Sequence, residues 1–392
     1  MSYFISASLF PSPITPSVGL FVRHRLTALQ EHLSLDKHHF FIASPTPYFP
    51  FKHPCFKQYA HYAQKPTGTI TMQNLQICYP RYLQIPLCNS HFSGYLTYLS
   101  LKKHFNNYVK SNGKPLKLIA EYGFPDAIAI YHLSKRHNIP YIVTLRGSDM
   151  SYFMRLKNLK PQIMQALEAA ETIICVSQNM KQALHETHEI PLEKISVIGN
   201  GVNKDIFYAT YNASIRDQYA LKTPYLISSV GGLIDRKNHS LAIKAIQSLP
   251  NHSLVIAGEG PQRPALEQLI KSLNLQDRVF LIGTQTQTQL ADLYNASDLF
   301  LLCSLSEGRP NVVLEAIACG TTVLTTNVHG VDEIITHPCY GTIIDKSTAP
   351  QALADKITSM MHYPYDKNMI QNHGHSFSWE KSAALYAKII TH

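Results

Sequence analysis

The sequence predicts an α/β protein made of two doubly wound parallel sheets with helices on both faces. Short apolar runs alternate with amphipathic stretches along the chain, as in parallel strands joined by helical crossovers. The 392 residues exceed one ordinary core and suggest two domains of about 150 to 200 residues each. A polar, turn-rich stretch at 205–224 has no clear apolar period, so it predicts the linker between the domains.

Two series of apolar runs predict the strands. The first series is 40–44, 116–121, 141–145, 172–176 and 195–198. The second series is 225–230, 254–257, 279–282, 299–303, 322–325 and 341–344. Ligands of doubly wound sheets bind at the carboxyl ends of the strands, so a ligand site is expected in the loops after these runs.

Composition narrows the class of protein. Hydrophobic residues make up 45% and charged residues 16% of the chain, which are globular values, and no apolar run approaches bilayer length. The first residues lack a basic segment followed by an apolar core, so we expect a cytoplasmic protein. The seven cysteines include no Cys-x-x-Cys pair, which implies neither disulfides nor zinc.

One stretch after a predicted strand, SEGRPNVVLEAIACG at 306–320, contains two glutamates eight positions apart, Glu307 and Glu315. Pro310 suits the first turn of a helix and Gly320 the position after its end. A helix of about ten residues is therefore predicted, and its N–H groups, beside Gly308 and Arg309, suit an anion.

The spacing of the glutamates argues against hydrolysis. Eight helical residues rise about 12 Å, whereas the paired carboxylates of glycosidases lie about 5 to 9.5 Å apart. Two carboxylates that accept hydroxyl groups, one from a ribose and one from a sugar, would tolerate the longer distance. Two ordinary glutamates on a helix surface remain the alternative at this point.

The same stretch resembles the Glu-x7-Glu element of retaining glycosyltransferase family 4, which has the GT-B fold. Further stretches follow in the family's order: FPSPITPSVGLFVRHRLTAL, FPDAIAIYHLSKRHNIPYIVTLRGSDM, VIGNGVNKDIF, LVIAGEGPQRPALEQLI, LADLYNASDLFLLCS, TNVHGVDEII and SFSWEKSAALYAKII. The resemblance implies two Rossmann-like domains that face a central cleft, with a last helix that crosses back to the first. The expected boundaries are 1–208 on the acceptor side, 209–372 for the nucleotide sugar, and 373–392 for the crossover helix.

The resemblance also implies roles for residues of the second domain. Glu315 would accept the ribose hydroxyls of a sugar nucleotide, and Glu307 would contact hydroxyls of the transferred sugar. Backbone amides of Gly308 and Arg309 would face the sugar or the diphosphate.

The stretch VGGLIDRKNH at 230–239 matches the family's diphosphate loop. Lys237 is at the position of the lysine that neutralises the leaving group. Gly232 stands where the family commonly has arginine, and Arg236 is the candidate to supply the missing charge.

In the first domain, Gly19 would let the backbone approach the donor diphosphate. Arg146, in TLRGSDM, stands where many relatives have a histidine near the reacting carbon. Arginine stays charged and cannot act as a base, so we expect a phosphate contact that stabilises the leaving group. Asp149 is expected to cap the following helix.

Two local patterns look like cofactor-binding motifs but lack a required residue, so no cofactor is expected. Gly258-Glu259-Gly260 has Arg263 where a dinucleotide fingerprint needs its third glycine. His185 and His188 have a metal-like spacing without a third ligand nearby, and no Asp-x-Asp follows a strand. Neither a metal nor a nicotinamide cofactor is therefore predicted.

The resemblance implies a retaining transferase that moves a sugar from a nucleoside diphosphate sugar, uridine-linked by preference, to a hydroxyl acceptor in polysaccharide synthesis. One alternative is another GT-B activity, a phosphorylase or a sugar-nucleotide epimerase. The other is a noncatalytic protein that binds sugar nucleotides or polyanions, which the net charge of +9 suggests.

The positive charge is concentrated in one segment. Residues 37–120 contain no Asp or Glu but ten Lys or Arg: Lys37, Lys52, Lys57, Lys65, Arg81, Lys102, Lys103, Lys110, Lys114 and Lys117. Residues 93–110 interleave aromatic and basic side chains, which predicts an amphipathic helix on an anionic membrane through 92–117, or a solvated helix that covers its own domain. The first reading implies a glycan or lipid-linked acceptor at the inner face of the membrane; nucleic acid is not expected.

Overall fold

The computed structural model describes residues 1–13, 15, 18–33, 38–51, 53, 68–72, 75–84, 91–210, 214–219, 221–363 and 365–391. The chain forms two compact units. Unit 1 contains Met1–Gly199 together with Trp379–His392, and unit 2 contains Asn200–Ser378. The domain boundaries that we expected after residues 208 and 372 differ from the limits of these two units and stay predictions.

Unit 1 is an α/β layer structure. Its described strands are β1 (Ser2–Ser6), β2 (His39–Ala43), β3 (Thr46–Tyr48), β4 (Thr69–Met72), β5 (Leu75–Cys78), β6 (Arg81–Leu83), β7 (Lys117–Ala120), β8 (Tyr141–Leu145), β9 (Thr172–Cys175) and β10 (Ile195–Val197). Among these, the main sheet has the order β10-β9-β8-β7-β1-β2-β5-β4, and β3 pairs separately with β6. In the main sheet, β4 is antiparallel to β5 and the other pairs are parallel.

Helices cover both faces of the unit 1 sheet. They are α1 (Leu20–Leu33), α2 (Ser93–Asn112), α3 (Ile128–His137), α4 (Ser148–Ser151), α5 (Lys160–Ala169), α6 (Gln178–His188) and, from the end of the chain, α14 (Trp379–Thr391). Successive strand residues alternate between two cores: Phe4 packs in the core under α2 and α3, and Tyr3 and Ile5 pack in the core under α1 and α14. The last helix thus completes a core of unit 1.

Unit 2 has a parallel sheet. Its described strands are β11 (Tyr225–Val230), β12 (His252–Ala257), β13 (Val279–Leu281), β14 (Leu299–Leu302), β15 (Val323–Thr326) and β16 (Gly341–Ile344), in the order β13-β12-β11-β14-β15-β16. Its described helices are α7 (Ser214–Gln218), α8 (His239–Ile246), α9 (Arg263–Ser272), α10 (Gln287–Ala296), α11 (Asn311–Ala318), α12 (Pro350–Met361) and α13 (Lys367–His375). Two cores lie on opposite faces of this sheet, as in unit 1.

All eleven predicted strands are present within two residues of their predicted bounds, so the α/β class and the parallel sheets are confirmed. The sequence reasoning missed β1 and the strands from β3 to β6. The missed β1 has five residues, as do the predicted strands β2 and β8, so its length does not explain the miss. Along β4 and β6, exposed residues alternate with partly buried ones, so these strands give no continuous apolar run of the kind that the pattern argument uses.

Candidate active site

The topological switch point of unit 2 falls between β11 and β14, and the loops after these strands carry most of the predicted site residues. The first loop contains a short 3₁₀ turn, Asp235–Lys237. The second leads from β14 into α11. The two loops are joined by a backbone hydrogen bond, in which the Leu305 N–H donates to the carbonyl of Arg236 at 2.8 Å. A switch point is where doubly wound sheets bind ligands.

Glycines allow close packing in the first of these loops. A Cβ on Gly231 would lie 2.9 Å from Cε of Lys237, and a Cβ on Gly258 would lie 2.0 Å from the carbonyl oxygen of Gly231. The predicted residue Gly232 differs, because its nearest such contact is an ordinary 3.6 Å, to the oxygen of Glu259. The contact at Gly231 is with the flexible end of the Lys237 side chain, which can shift, whereas the contact at Gly258 is with backbone; position 232 has room for a side chain.

Glu307 holds both cations of the first loop. Its Oε1 lies 2.7 Å from Nζ of Lys237, and its Oε2 lies 2.9 Å from Nη1 of Arg236. Burial raises the pKa of Glu307, but the attraction of Lys237 and Arg236 outweighs burial and leaves the pKa below its ordinary value. The Arg236 guanidinium also donates to the carbonyl of Ser306. The structure thus brings Glu307, Lys237 and Arg236 together as an ionised cluster.

Glu315 lies on α11, whose residues Val313, Leu314, Ala316, Ile317 and Ala318 are buried. Glu315 itself is partly exposed, and its Oε2 accepts a hydrogen bond from the buried Tyr294 hydroxyl at 3.0 Å. Burial raises the pKa of Glu315 to about 7, and the Tyr294 hydrogen bond opposes this rise. Glu315 is therefore not one of the ordinary surface glutamates that the sequence left open.

The helix that carries Glu315 lies where it was predicted but is shorter, with eight residues, Asn311–Ala318, instead of about ten. Pro310 is its N-cap, and Gly320 beyond its end has a φ of +74°. Before it, Gly308 is buried, and the guanidinium carbon of Arg309 lies 5.2 Å from the centre of the Phe377 ring. Burial lowers the pKa of Arg309. The Arg309 side chain therefore packs within unit 2, and amide contacts from Gly308 and Arg309 to a ligand stay a prediction.

In unit 1 the switch point falls between β1 and β7. Gly19, after β1, has a φ of +71°, and a Cβ there would lie 2.1 Å from the carbonyl oxygen of Leu9. Packing against its own chain is thus sufficient reason for glycine at this position. The predicted approach of Gly19 to a diphosphate stays a prediction.

Arg146, after β8, is held by Glu121, the residue that follows β7. The two side chains form an ion pair with 4% and 0% of their surfaces exposed, and Nε of Arg146 donates to the Glu121 carbonyl at 3.1 Å. The same carboxylate pairs with the buried Arg25 and accepts from the Tyr386 hydroxyl of α14 at 3.4 Å. As it stands, the Arg146 guanidinium faces protein groups rather than solution.

Two buried carboxylates brace the loops around Arg146. Asp126 accepts from the N–H and hydroxyl of Ser8 at 3.0 and 2.6 Å. Asp149 accepts from the N–H groups of Gly123 and Arg146 at 2.9 and 2.7 Å. Burial raises the pKa of Asp126 to about 6 and that of Asp149 to about 7. Asp149 thus connects the loops after β7 and β8, where the sequence had suggested only a helix cap.

The sequence reasoning missed Tyr294, Glu121 and Arg25. Glu121 could have been found, because it is a charged residue at the carboxyl end of a predicted strand. Tyr294 and Arg25 give no local signal, since their carboxylate partners lie 21 and 96 positions away.

Neither a metal-binding group nor a membrane-spanning helix is seen among the described residues. Within the described ranges, no three or more His, Cys, Asp or Glu residues are grouped so as to hold a metal ion. In the same part of the chain, no helix combines the length and the apolar character needed to span a bilayer. The metal-free site and the peripheral location stay predictions.

Two family models match the chain. The model described as Glycosyl transferases group 1 matches residues 212–375, and that described as Glycosyltransferase Family 4 matches residues 76–206. The first model therefore includes the loops of Lys237, Glu307 and Glu315, and the second includes Glu121 and Arg146.

Individual proteins of similar sequence are also named as synthases or glycosyltransferases. N-acetyl-alpha-D-glucosaminyl L-malate synthase of Bacillus anthracis is 29% identical over 56% of this chain and 58% of its own length. TuaC of Bacillus subtilis (strain 168), named as a candidate teichuronic acid biosynthesis glycosyltransferase, is 26% identical over 91% of this chain and 88% of its own.

A solved structure shares the whole fold. Anabaena Alr3699/HepE in complex with UDP-glucose superposes with a TM-score of 0.73 at 18% identity, over 100% of this chain and 99% of that one. The strand orders of the two sheets, the two family models and the named relatives all indicate the same family. The chain is therefore a glycosyltransferase of the GT-B fold and of the family 4 type.

Proposed function

We propose that this glycosyltransferase moves a sugar, with retention of anomeric configuration, from a uridine diphosphate sugar to a hydroxyl group of a glycan or lipid-linked acceptor. The observation that carries the proposal is the cluster of Lys237, Arg236 and Glu307 at the switch point of unit 2. Cations suit a leaving diphosphate, and a carboxylate suits sugar hydroxyls.

Glu315 supplies the nucleotide end of the proposed site. It is a partly exposed carboxylate on the helix that follows the Glu307 loop, with one oxygen already held by Tyr294. A fixed carboxylate can accept both hydroxyls of a ribose. The uridine preference is supported by a structure of similar fold solved with UDP-glucose.

The proposed reaction needs no enzymic nucleophile. The bond from the anomeric carbon to the diphosphate oxygen breaks, and the acceptor oxygen bonds to the same face of that carbon. The acceptor's hydroxyl proton passes to the departing diphosphate oxygen, whose negative charge Lys237 and Arg236 stabilise. Glu307 orients the sugar through its hydroxyl groups.

Arg146 is the least supported member of the proposed catalytic set. Its guanidinium is paired with Glu121 and only 4% of the side chain is exposed. A contact with a phosphate would require this pair to open. Arg236 is the better second cation, because its side chain is 40% exposed and lies beside Lys237 on the same carboxylate.

A two-stage experiment tests the proposed function. Thermal unfolding with a panel of sugar nucleotides identifies the donor, since a ligand at 100 times its Kd raises the free energy of unfolding by about 2.7 kcal/mol. The donor is then incubated with candidate acceptors, and proton NMR reads the anomeric configuration of the product. Inversion would refute the retaining mechanism, and failure of every sugar nucleotide to bind would refute the donor site.

The same assay separates the alternatives. A transferase releases nucleoside diphosphate only when an acceptor is present. An epimerase converts the sugar nucleotide without an acceptor, a phosphorylase requires inorganic phosphate, and a binding protein shifts the unfolding temperature without turnover.

The proposed acceptor side is the exposed face of α2. Phe92, Tyr95 and Leu99 are 53%, 47% and 45% exposed there, and Lys103 and Lys110 are exposed further along the helix. This face combines apolar and basic side chains, as interfacial helices do. We therefore propose that α2 docks on an anionic membrane surface at its cytoplasmic side.

The structure corrects the predicted extent of this surface. Lys117 is on β7 with 5% of its side chain exposed and pairs with Glu171 at 2.6 Å, so it is not available to a membrane. The surface accordingly ends near Lys114. Four of the predicted basic residues lie outside the described residues: Lys37, Lys52, Lys57 and Lys65.

Sedimentation with liposomes tests the membrane proposal. Binding should require anionic lipid, fall as salt rises, and drop when Lys102, Lys103 and Lys110 are changed to Glu. A matched control changes three exposed lysines of unit 2 to Glu: Lys222, Lys244 and Lys271. Equal loss in both variants would show a nonspecific charge effect, and no loss in either would leave α2 as an ordinary solvated helix.

A further inference from the structure

Glu307 forms ion pairs with both cations that the proposed diphosphate site would use. The Lys237 and Glu307 side chains are each only 12% exposed at their 2.7 Å contact, and Arg236 contacts the other carboxylate oxygen at 2.9 Å. Hydrogen bonds from Leu305 and Arg236 fix the loops against each other. The two cations are therefore neutralised in part before any anion arrives.

A diphosphate must compete with this carboxylate. Lys237 and Arg236 can turn toward phosphate oxygens only by weakening their contacts with Glu307. Glu307 would then be a mostly buried carboxylate that has lost its two cationic partners, which is costly because water reaches it poorly. The cost arises only when nothing else donates to Glu307.

A sugar removes this cost. Its hydroxyl groups can donate hydrogen bonds to Glu307 while the diphosphate takes the two cations. A nucleoside diphosphate without a sugar has no such donor at that end. The two ligands share the nucleotide and the phosphates, so the difference between them depends on Glu307.

We infer that Glu307 is a specificity-determining counter-ion, which lowers the affinity of the site for a nucleoside diphosphate that carries no sugar. This inference rests on the proposed function, in which Lys237 and Arg236 bind the diphosphate. It adds a role for Glu307 after the reaction: once the sugar has left, the carboxylate recovers its cations and favours release of the product.

If Glu307 has this role, one substitution in the site should strengthen ligand binding, whereas loss of a site residue ordinarily weakens it. Glu307→Gln keeps the shape of the side chain but removes its charge, so both cations become available. UDP and inorganic pyrophosphate should each bind at least fivefold more tightly than to the wild-type protein. If Glu307 instead positions the cations for the diphosphate, the same substitution should weaken binding.

Isothermal titration calorimetry at constant ionic strength measures these affinities for the full chain. Glu259→Gln is the matched control, because Glu259 is in the neighbouring loop and pairs with Arg263 at 3.3 Å instead of with Lys237 or Arg236. This control should change the affinity by less than twofold. Glu307→Ala should shift in the same direction as Glu307→Gln, and thermal unfolding confirms that each variant is folded.

The outcomes separate two failures. If the wild-type protein binds UDP or pyrophosphate but Glu307→Gln binds no more tightly, the counter-ion role is wrong and the proposed diphosphate site survives. An equal gain in Glu259→Gln would also refute it, since the effect would then be a general change of charge. If neither probe binds any variant, the proposed function itself fails at this site.

Discussion

We predict that Glu315 makes the affinity for a nucleotide depend on pH. Burial raises the pKa of Glu315 to about 7, above its ordinary value of 4.5. A protonated carboxyl is a poorer acceptor for ribose hydroxyls than a carboxylate, because hydrogen bonds to charged groups are the stronger ones. We therefore predict that UDP binds the ionised form of the free protein and that acid weakens binding.

The size of the effect follows from the ionised fraction. With a pKa of about 7, Glu315 is roughly 90% ionised at pH 8 and roughly 10% at pH 6. The apparent Kd equals the intrinsic Kd divided by the competent fraction, so it should rise about ninefold to tenfold between these pH values. At pH 8, Glu315→Gln should raise the Kd by about 10-fold or more, since hydrogen bonds to charged groups contribute about 1.5 to 3 kcal/mol.

Calorimetric titration of UDP at four pH values between 6 and 8 tests this prediction. UDP and other groups of the protein also take up protons in this range, so Glu315→Gln serves as the reference that lacks only the titration of Glu315. The wild-type curve should be steeper than the reference curve by about one decade over the range. Parallel curves for the two proteins would show that Glu315 does not bind the nucleotide in its ionised form.

The remaining predictions concern Tyr294, Lys237, the need for a metal ion, and Asp149. Tyr294→Phe removes the hydroxyl that holds Glu315, so the Kd of UDP at pH 7 should rise about threefold and the midpoint of its pH dependence should move upward; unchanged calorimetric titrations would contradict this. Lys237→Ala should lower kcat at least 10-fold if the lysine stabilises the leaving diphosphate, whereas unchanged initial rates would make Arg236 the better candidate. EDTA should leave transfer intact, and loss of activity that a divalent ion restores would contradict a metal-free site. Asp149 has a folded pKa raised to about 7 from 3.8, so its contribution to stability should be complete below about pH 4 and lost as pH rises through 7; urea unfolding should show a smaller decline over this range in Asp149→Asn.

The sequence was sufficient for eleven of the parallel strands because parallel strands buried on both faces are continuous apolar runs. The runs at 141–145 and 225–230 correspond to β8 and β11 at both ends. The helix between Pro310 and Gly320 could likewise be placed, since proline and glycine have fixed positions at helix ends.

The pairing of side chains could not be predicted in the same way. The sequence indicated Glu307 and Lys237 as separate site residues. In the structure the Lys237 ammonium group donates a hydrogen bond to the Glu307 carboxylate, although the two residues are 70 positions apart in the chain. The ion pair between Arg146 and Glu121 spans two strand-end loops, and such a contact depends on strand order. Lys117 was counted with a surface because charge along a chain does not reveal which lysines are buried.

The chain passes through unit 2 before it completes unit 1. Residues 200–378 form one continuous unit, while α14, which supplies the buried Ala383, Tyr386, Ala387 and Ile390 to a unit 1 core, comes after them. A ribosome therefore begins unit 1 first and finishes it last, with a whole second domain made in between. Unit 2 can be excised as a single segment for expression, whereas a fragment that stops at Gly199 would leave the core beneath α1 uncovered.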